Sequence, residues 1–125
     1  VINLVGVETS ESLRETAINV YNFAHDLALS RGIIVADTKM EFGYIDNQLS
    51  LIDELLTPDS SRFWNANDYA PGKSQPNFDK QFVRDWLNDQ GWNHSPPAPE
   101  LPTDIVDKTR KRYLRALEML TGKSL

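Results

Sequence analysis

Three charged side chains alternate with uncharged ones in the segment GIIVADTKMEFG. Asp37, Lys39 and Glu41 stand at every second position, and side chains on a β-strand alternate between its two faces. A strand here would have one ionic face and one apolar face. A further acid, Asp53, follows in the segment LSLIDELLTPDSSRFW. Acidic and basic groups that converge near the end of a buried strand are suited to hold a divalent cation and phosphates.

The simpler interpretation of this pattern is a half-exposed antiparallel strand with a charged solvent face. The apolar run over residues 33–36 weighs against it, because four consecutive apolar residues are typical of a strand buried on both faces. The charged residues therefore begin where a buried strand emerges.

The elements around these residues are predicted to form a β-hairpin. We expect a strand over 33–45, turn residues at 46–48 and a second strand over 49–55. A three-residue loop would set Glu41 opposite Asp53 on one face, whereas a two-residue loop would put them on opposite faces. Opposed carboxylates repel each other, and a divalent cation between them would relieve the repulsion.

Composition restricts the class of protein. The 125 residues are 40% hydrophobic and 25% charged, which is typical of a globular domain. A net charge of −5 with scattered Lys and Arg argues against nucleic acid as the main partner. No apolar run is long enough for a membrane span, no signal peptide is visible, and the lack of cysteine fits a reducing compartment. We expect a cytoplasmic protein that, starting at Val1, is a processed or shortened chain.

The remaining periodicity predicts an α+β fold, with the hairpin as part of a larger antiparallel sheet flanked by three helices. The helices are predicted over 10–30, 78–89 and 103–120, and the first and last have apolar stripes, with Tyr113 in the stripe of the last. The last helix has Thr103 as its N-cap and Gly122 at its end. Asp79 is a candidate cap for the middle helix. An irregular stretch follows the hairpin from residue 57 to 77, and such long loops tend to be functional. Residues 95–102, SPPAPELP, form a proline-rich connector.

Three motifs, ADTKMEFG, DELLTPDSSRFW and FDKQFVRDWL, occur in this order. Together they resemble the C-terminal half of phosphoribosylaminoimidazole-succinocarboxamide synthase, or SAICAR synthetase. The resemblance implies an ATP-grasp-like fold in which residues 1–125 are the C-terminal domain and an absent N-terminal half supplies much of the nucleotide pocket. It also implies an ATP-dependent ligase of purine biosynthesis that joins carboxyaminoimidazole ribonucleotide (CAIR) to L-aspartate. The products would be SAICAR, ADP and phosphate, formed through an acyl phosphate.

The resemblance also implies roles for individual residues. Glu41 and Asp53 match the acids that bind Mg²⁺, while Lys39 and Asp37 match the catalytic pair beside the reacting carboxylate. The residues that match the CAIR-binding positions are Asp59, Ser60, Arg62, Lys80 and Arg84. The aspartate-binding residues are not assignable from the sequence.

Two other functions stay open at this point. A detached module could keep a Mg²⁺-nucleotide or ribonucleotide site without ligase activity, and the sequence does not separate it from part of an enzyme. A purely structural interaction domain is disfavoured, because a solvated acidic face does not require Arg62 beside Asp59 in an aromatic-rich loop.

Overall fold

A computed structural model describes residues 1–73, 75, 78 and 80–124. Its helices are α1 (Ile2–Val5), α2 (Val7–Leu29), α3 (Gln81–Asp89) and α4 (Thr103–Thr121). The three predicted helices are confirmed as α2, α3 and α4, and α1 is an additional short turn. Gly122 ends α4 in the left-handed conformation that glycine adopts without steric cost (φ 71°, ψ 11°). Thr103 is wrong as the cap, since Pro102 precedes the helix with no side-chain cap. Asp79 lies outside the described residues.

The strands are β1 (Ile33–Thr38), β2 (Phe42–Ile45), β3 (Gln48–Leu51) and β4 (Ser61–Asn65). They form two antiparallel ribbons, one pairing β1 with β4 and the other pairing β2 with β3. The prediction of one continuous strand over 33–45 is therefore wrong, because the chain leaves the first ribbon after Thr38 and enters the second at Phe42. The prediction of a strand over 49–55 is also too long, since β3 ends at Leu51. β4 lies inside the stretch that was predicted to be irregular.

The hairpin exists as β2 and β3, and its loop has two residues. Ile45 pairs with Gln48, so Asp46 and Asn47 make the turn. Both have positive φ (49° and 61°), as a type I′ turn requires. The three-residue loop that would set Glu41 opposite Asp53 is thus excluded, and the ladder instead continues through the Ile52 N–H, which donates to the Glu41 carbonyl at 3.1 Å.

The core lies between α2, the β1–β4 ribbon and α4. Its buried side chains come from all four elements: Ala28, Ile33, Val35, Phe63 and Ala116. The apolar stripes predicted on α2 and α4 face this core, as their buried alanines show. The charged end of β1 is thereby anchored on a packed base.

The alternation predicted over residues 37–42 is confirmed in exposure. Asp37, Lys39 and Glu41 are exposed, while Thr38, Met40 and Phe42 between them are half-buried. Residues 95–102 form no helix or strand, and Pro102 is extended (φ −59°, ψ 149°). Within the described part of the chain, no helix combines the length and apolar character needed to cross a membrane.

Candidate functional site

A β-bulge aligns two of the side chains that were predicted to be functional, Asp37 and Arg62. Val35 pairs with Phe63, and the next pair is Asp37 with Arg62, so Ala36 is an extra residue on β1. The bulge brings the carboxylate and the guanidinium to directly opposed positions. Arg62 Nε donates to Asp37 Oδ1 at 2.8 Å, and Arg62 Nη2 contacts Asp37 Oδ2. The result is a bidentate ion pair at the exposed end of the ribbon.

The turn before β4 places the next two predicted residues. Thr57 and Ser60 close it, because the Thr57 N–H donates to the Ser60 hydroxyl at 3.1 Å and the Ser60 N–H donates to the Thr57 carbonyl at 3.2 Å. Asp59 is thereby presented at the surface, whereas Ser60 is only 8% exposed. The Ser60 hydroxyl has its hydrogen-bond partners inside the turn.

Helix α3 begins beside this turn and brings its cations to it. Lys80 Nζ lies 3.1 Å from Asp59 Oδ1, and the Tyr113 hydroxyl on α4 donates to the same oxygen at 2.8 Å. A cavity of about 270 Å³ opens between β1, the turn and α3. Its lining includes six of the nine residues predicted to be functional: Asp37, Asp59, Ser60, Arg62, Lys80 and Arg84. We call this cavity the ion-pair pocket.

The other three predicted residues, Lys39, Glu41 and Asp53, form a neighbouring cluster. We call its two carboxylates, Glu41 and Asp53, the acid pair. Lys39 Nζ lies 2.6 Å from Glu41 Oε1 and 3.4 Å from Asp53 Oδ2. The predicted register was wrong, yet the two carboxylates still approach one point, because both residues lie just beyond the ends of β2 and β3. All three side chains are substantially exposed.

The two groups of residues are joined through the backbone. The Lys39 N–H donates to the Ser60 carbonyl at 2.7 Å, one step beyond the Thr38–Ser61 pair of the β1–β4 ribbon. The segment that carries Lys39 is therefore fixed to the turn that carries Asp59. A ligand in the ion-pair pocket and a cation at the acid pair would lie side by side.

These contacts shift the pKa values of four side chains of the site, and each shift favours the charged form of the side chain. The hydrogen bond from Arg62 lowers the pKa of Asp37, and the hydrogen bond from Tyr113, followed by that from Lys80, lowers the pKa of Asp59. The pKa of Asp53 is lowered first by the Glu54 backbone N–H and then by Lys39. The hydrogen bond to Glu41 raises the pKa of Lys39. The charged forms of Asp37, Lys39, Asp53 and Asp59 are thereby favoured.

The acid pair fits Mg²⁺ in its donor chemistry. The two carboxylates already converge on one cation, the Lys39 ammonium group. Mg²⁺ takes hard oxygen ligands, typically one or two carboxylates, and completes its shell with water and substrate phosphates. Among the described residues, no group of three or more Asp, Glu, His or Cys side chains surrounds a position suited to a metal ion.

Tyr113 was missed as a site residue by sequence analysis. It was assigned to the apolar stripe of α4, and its ring does follow that stripe, but its hydroxyl reaches Asp59, which is 54 residues away in sequence. Nothing in the local pattern around Tyr113 indicates this contact, because it depends on how α4 packs beside the turn.

A model of one protein family, described as SAICAR synthetase, matches residues 1–99. The chain belongs to the SAICAR synthetase family. A curated relative, the phosphoribosylaminoimidazole-succinocarboxamide synthase of Desulfosudis oleivorans, is 54% identical over 120 residues. That alignment covers 96% of this chain and 41% of the relative. The chain thus spans about two fifths of the length of this SAICAR synthetase.

Solved structures of SAICAR synthetases have the same fold. The SAICAR synthase of Saccharomyces cerevisiae, complexed with SAICAR, matches with a TM-score of 0.90 and 47% identity, covering 99% of this chain and 42% of that one. A type-2 SAICAR synthetase in complex with ADP matches with a TM-score of 0.68 and 25% identity, covering 97% and 41%. The small α+β arrangement described here is therefore part of the SAICAR synthetase fold.

Proposed function

We propose that this chain is the Mg²⁺- and CAIR-binding part of an ATP-dependent ligase of purine biosynthesis. In this proposal the complete enzyme joins the carboxylate of CAIR to the amino group of L-aspartate and releases SAICAR, ADP and phosphate. The observation that supports it most is the ion-pair pocket, in which six residues chosen from three separate motifs line one cavity. The two solved relatives, complexed with SAICAR and with ADP, support the same reaction.

The chemical problem in this reaction is that a carboxylate is a poor electrophile. Transfer of the γ-phosphoryl group of ATP to the CAIR carboxylate would give an acyl phosphate, which the amine of aspartate can attack. Bound by Glu41 and Asp53, Mg²⁺ would neutralise phosphate charge during this transfer. Lys39, beside the acid pair, is assigned to the reacting carboxylate and phosphate, and Asp37 holds the neighbouring Arg62 in place.

In the ion-pair pocket, Arg62 and Arg84 are assigned to anionic groups of CAIR, since a guanidinium offers a planar fork of donors. Lys80 adds a third cation at the start of α3. Asp59 is assigned to the polar part of the ribonucleotide. Ser60 contributes by holding the turn, because its hydroxyl is engaged with Thr57.

The rest of the proposal concerns what this chain does not supply. We assign the nucleotide pocket and the ATP-grasp-like arrangement to an N-terminal half of the same cytoplasmic enzyme. The supporting fact is that this chain covers 41% of the Desulfosudis oleivorans relative. The 125-residue chain by itself is accordingly expected to lack ligase activity.

Chromatographic detection of SAICAR tests this proposal directly. The purified chain should form no SAICAR from CAIR, L-aspartate and MgATP, and addition of the remaining polypeptide should restore ATP-dependent formation. SAICAR production by the chain alone would refute the assignment of the nucleotide pocket. If the reconstituted protein binds CAIR without ligating it, the chain belongs to a binding module instead.

A further inference from the structure

We propose that Tyr113 is a positioning residue for Asp59, acting on the CAIR-binding turn from outside the ion-pair pocket. This inference rests on the function proposed above. The family model matches residues 1–99, so α4, which carries Tyr113, lies beyond the matched segment.

The geometry at one carboxylate oxygen of Asp59 supports this role. The Tyr113 hydroxyl donates to Asp59 Oδ1 at 2.8 Å, and Lys80 Nζ approaches the same atom at 3.1 Å. Two donors from two different helices thus converge on Oδ1 and fix the rotation of the carboxylate. The orientation of Oδ2 toward a ligand is then determined before the ligand arrives.

The limited rotational freedom of the tyrosine side chain supports the same role. Tyr113 is half-buried and lines an apolar groove between α2 and α4, together with Leu114 and Leu117. A tyrosine side chain has only two main torsions, which limits the positions that its hydroxyl can take. In contrast, the Lys80 side chain has a flexible stem and is 44% exposed. Tyr113 is therefore the rigid member of the two contacts.

Helix α4 contacts two of the elements that form the ion-pair pocket. Arg112, the neighbour of Tyr113, stacks its guanidinium over the Phe82 ring of α3, with Arg112 Cζ 4.4 Å from the ring centroid. α3 carries Arg84, and Lys80 directly precedes it. Two consecutive residues of α4 thus contact both parts of the pocket. Tyr113 contacts the loop that carries Asp59, and Arg112 contacts helix α3.

A further observation concerns charge. The hydrogen bond from Tyr113 is the largest cause of the lowered pKa of Asp59. The tyrosine therefore favours the ionised form of the carboxylate that it orients, and an ionised carboxylate is an acceptor of hydrogen bonds.

The test uses the complete enzyme with Tyr113→Phe, which keeps the ring and removes the hydroxyl. We expect the KM for CAIR to rise about 5- to 10-fold, which is less than for direct loss of a hydrogen bond between a charged group and the substrate, because Tyr113 acts only through Asp59. The kcat, the KM for ATP and the unfolding temperature should change little. Tyr44→Phe is the matched control, because it removes an exposed hydroxyl that contacts Thr9 on α2. An unchanged KM for CAIR in Tyr113→Phe would overturn the inference.

A double-mutant cycle with Asp59→Asn separates the inference from the proposed function. If Tyr113 acts through Asp59, Tyr113→Phe adds little to the effect of Asp59→Asn, whereas additive effects would overturn the inference. A wild-type KM for CAIR in Asp59→Asn alone would instead overturn the substrate role of the turn, and with it the proposed function of the pocket. A lowered unfolding temperature with normal CAIR kinetics in Tyr113→Phe would show a purely structural tyrosine.

Discussion

Arg62 is the residue whose substitution best separates substrate binding from fold stability. In the structure its guanidinium pairs with Asp37, and both side chains are more than half exposed (56% and 52%). An exposed ion pair contributes about 0 to 1 kcal/mol to the free energy of unfolding. Arg62→Lys keeps the charge and loses the planar fork. We therefore expect the unfolding temperature to fall by no more than about 2–4 °C.

The effect on substrate binding should be considerably larger. A hydrogen bond to a charged group inside a pocket contributes about 1.5–3 kcal/mol, and the lysine cannot replace both donors of the fork. The KM for CAIR is therefore expected to rise about 10- to 150-fold. The KM for ATP should be nearly unchanged, because the nucleotide pocket is assigned to the other half of the enzyme.

The assay measures initial rates of the complete enzyme against CAIR at saturating ATP and L-aspartate, and then against ATP. Thermal unfolding is followed on the same preparations. Arg14→Lys is the matched control, since Arg14 forms an exposed ion pair with Glu11 on α2, outside the lining of the ion-pair pocket. If Arg62→Lys unfolds at a much lower temperature while its KM for CAIR stays normal, Arg62 is structural and the assignment of the pocket to CAIR is wrong.

Two further predictions concern metal binding by the acid pair and the loss of folding stability at low pH. Glu41→Gln and Asp53→Asn should each raise the Mg²⁺ concentration needed for half-maximal activity at least about tenfold, because each removes one of two carboxylate ligands. Mn²⁺ titration of the complete enzyme by electron paramagnetic resonance checks this, and wild-type affinity in both variants would contradict joint binding. For Asp37, the folded-state pKa is lowered by Arg62, so its stabilising contribution is present above the unfolded pKa and is lost as pH falls through the folded value. Urea unfolding between about pH 6 and pH 3 should therefore show a shallower loss of stability for Asp37→Asn than for wild type, by up to about 1 kcal/mol. Equal slopes would show that the ion pair is not maintained in solution.

The alternation of charged and uncharged residues could be predicted because it depends on nearest neighbours in sequence. Asp37, Lys39 and Glu41 are exposed as expected, although Lys39 and Glu41 lie between strands. The point at which β1 ends could not be predicted in the same way. It is determined by the partner strand β4, which begins 23 residues after β1 ends (Thr38 to Ser61) and whose first residue pairs with Thr38.

The pairing register of β1 and β4 at the site could not be predicted from the local sequence either. Asp37 meets Arg62 because of the bulge at Ala36, and a regular ladder would have moved the pair apart by one position. Ser61 and Phe63 alternate with Arg62 and Trp64, which is compatible with a strand, but the Pro, Asn, Asp and Gly residues on either side are typical of an irregular segment. The site residues came from motif resemblance, which carries three-dimensional information that a single sequence does not show.

The charges assigned to this site cancel one another, and this balance has a consequence for selectivity. Four cations and four acids make up the set: Lys39, Arg62, Lys80, Arg84, Asp37, Glu41, Asp53 and Asp59. Ordinary phosphate or sulfate ions in the cell would have to break existing ion pairs without bringing new positive charge, so they would gain little there. A ribonucleotide that arrived with Mg²⁺ would offer the acids a new cation and would release the Lys and Arg side chains for its own anionic groups. The site would therefore admit its substrate by an exchange of partners and stay largely closed to the abundant anions around it.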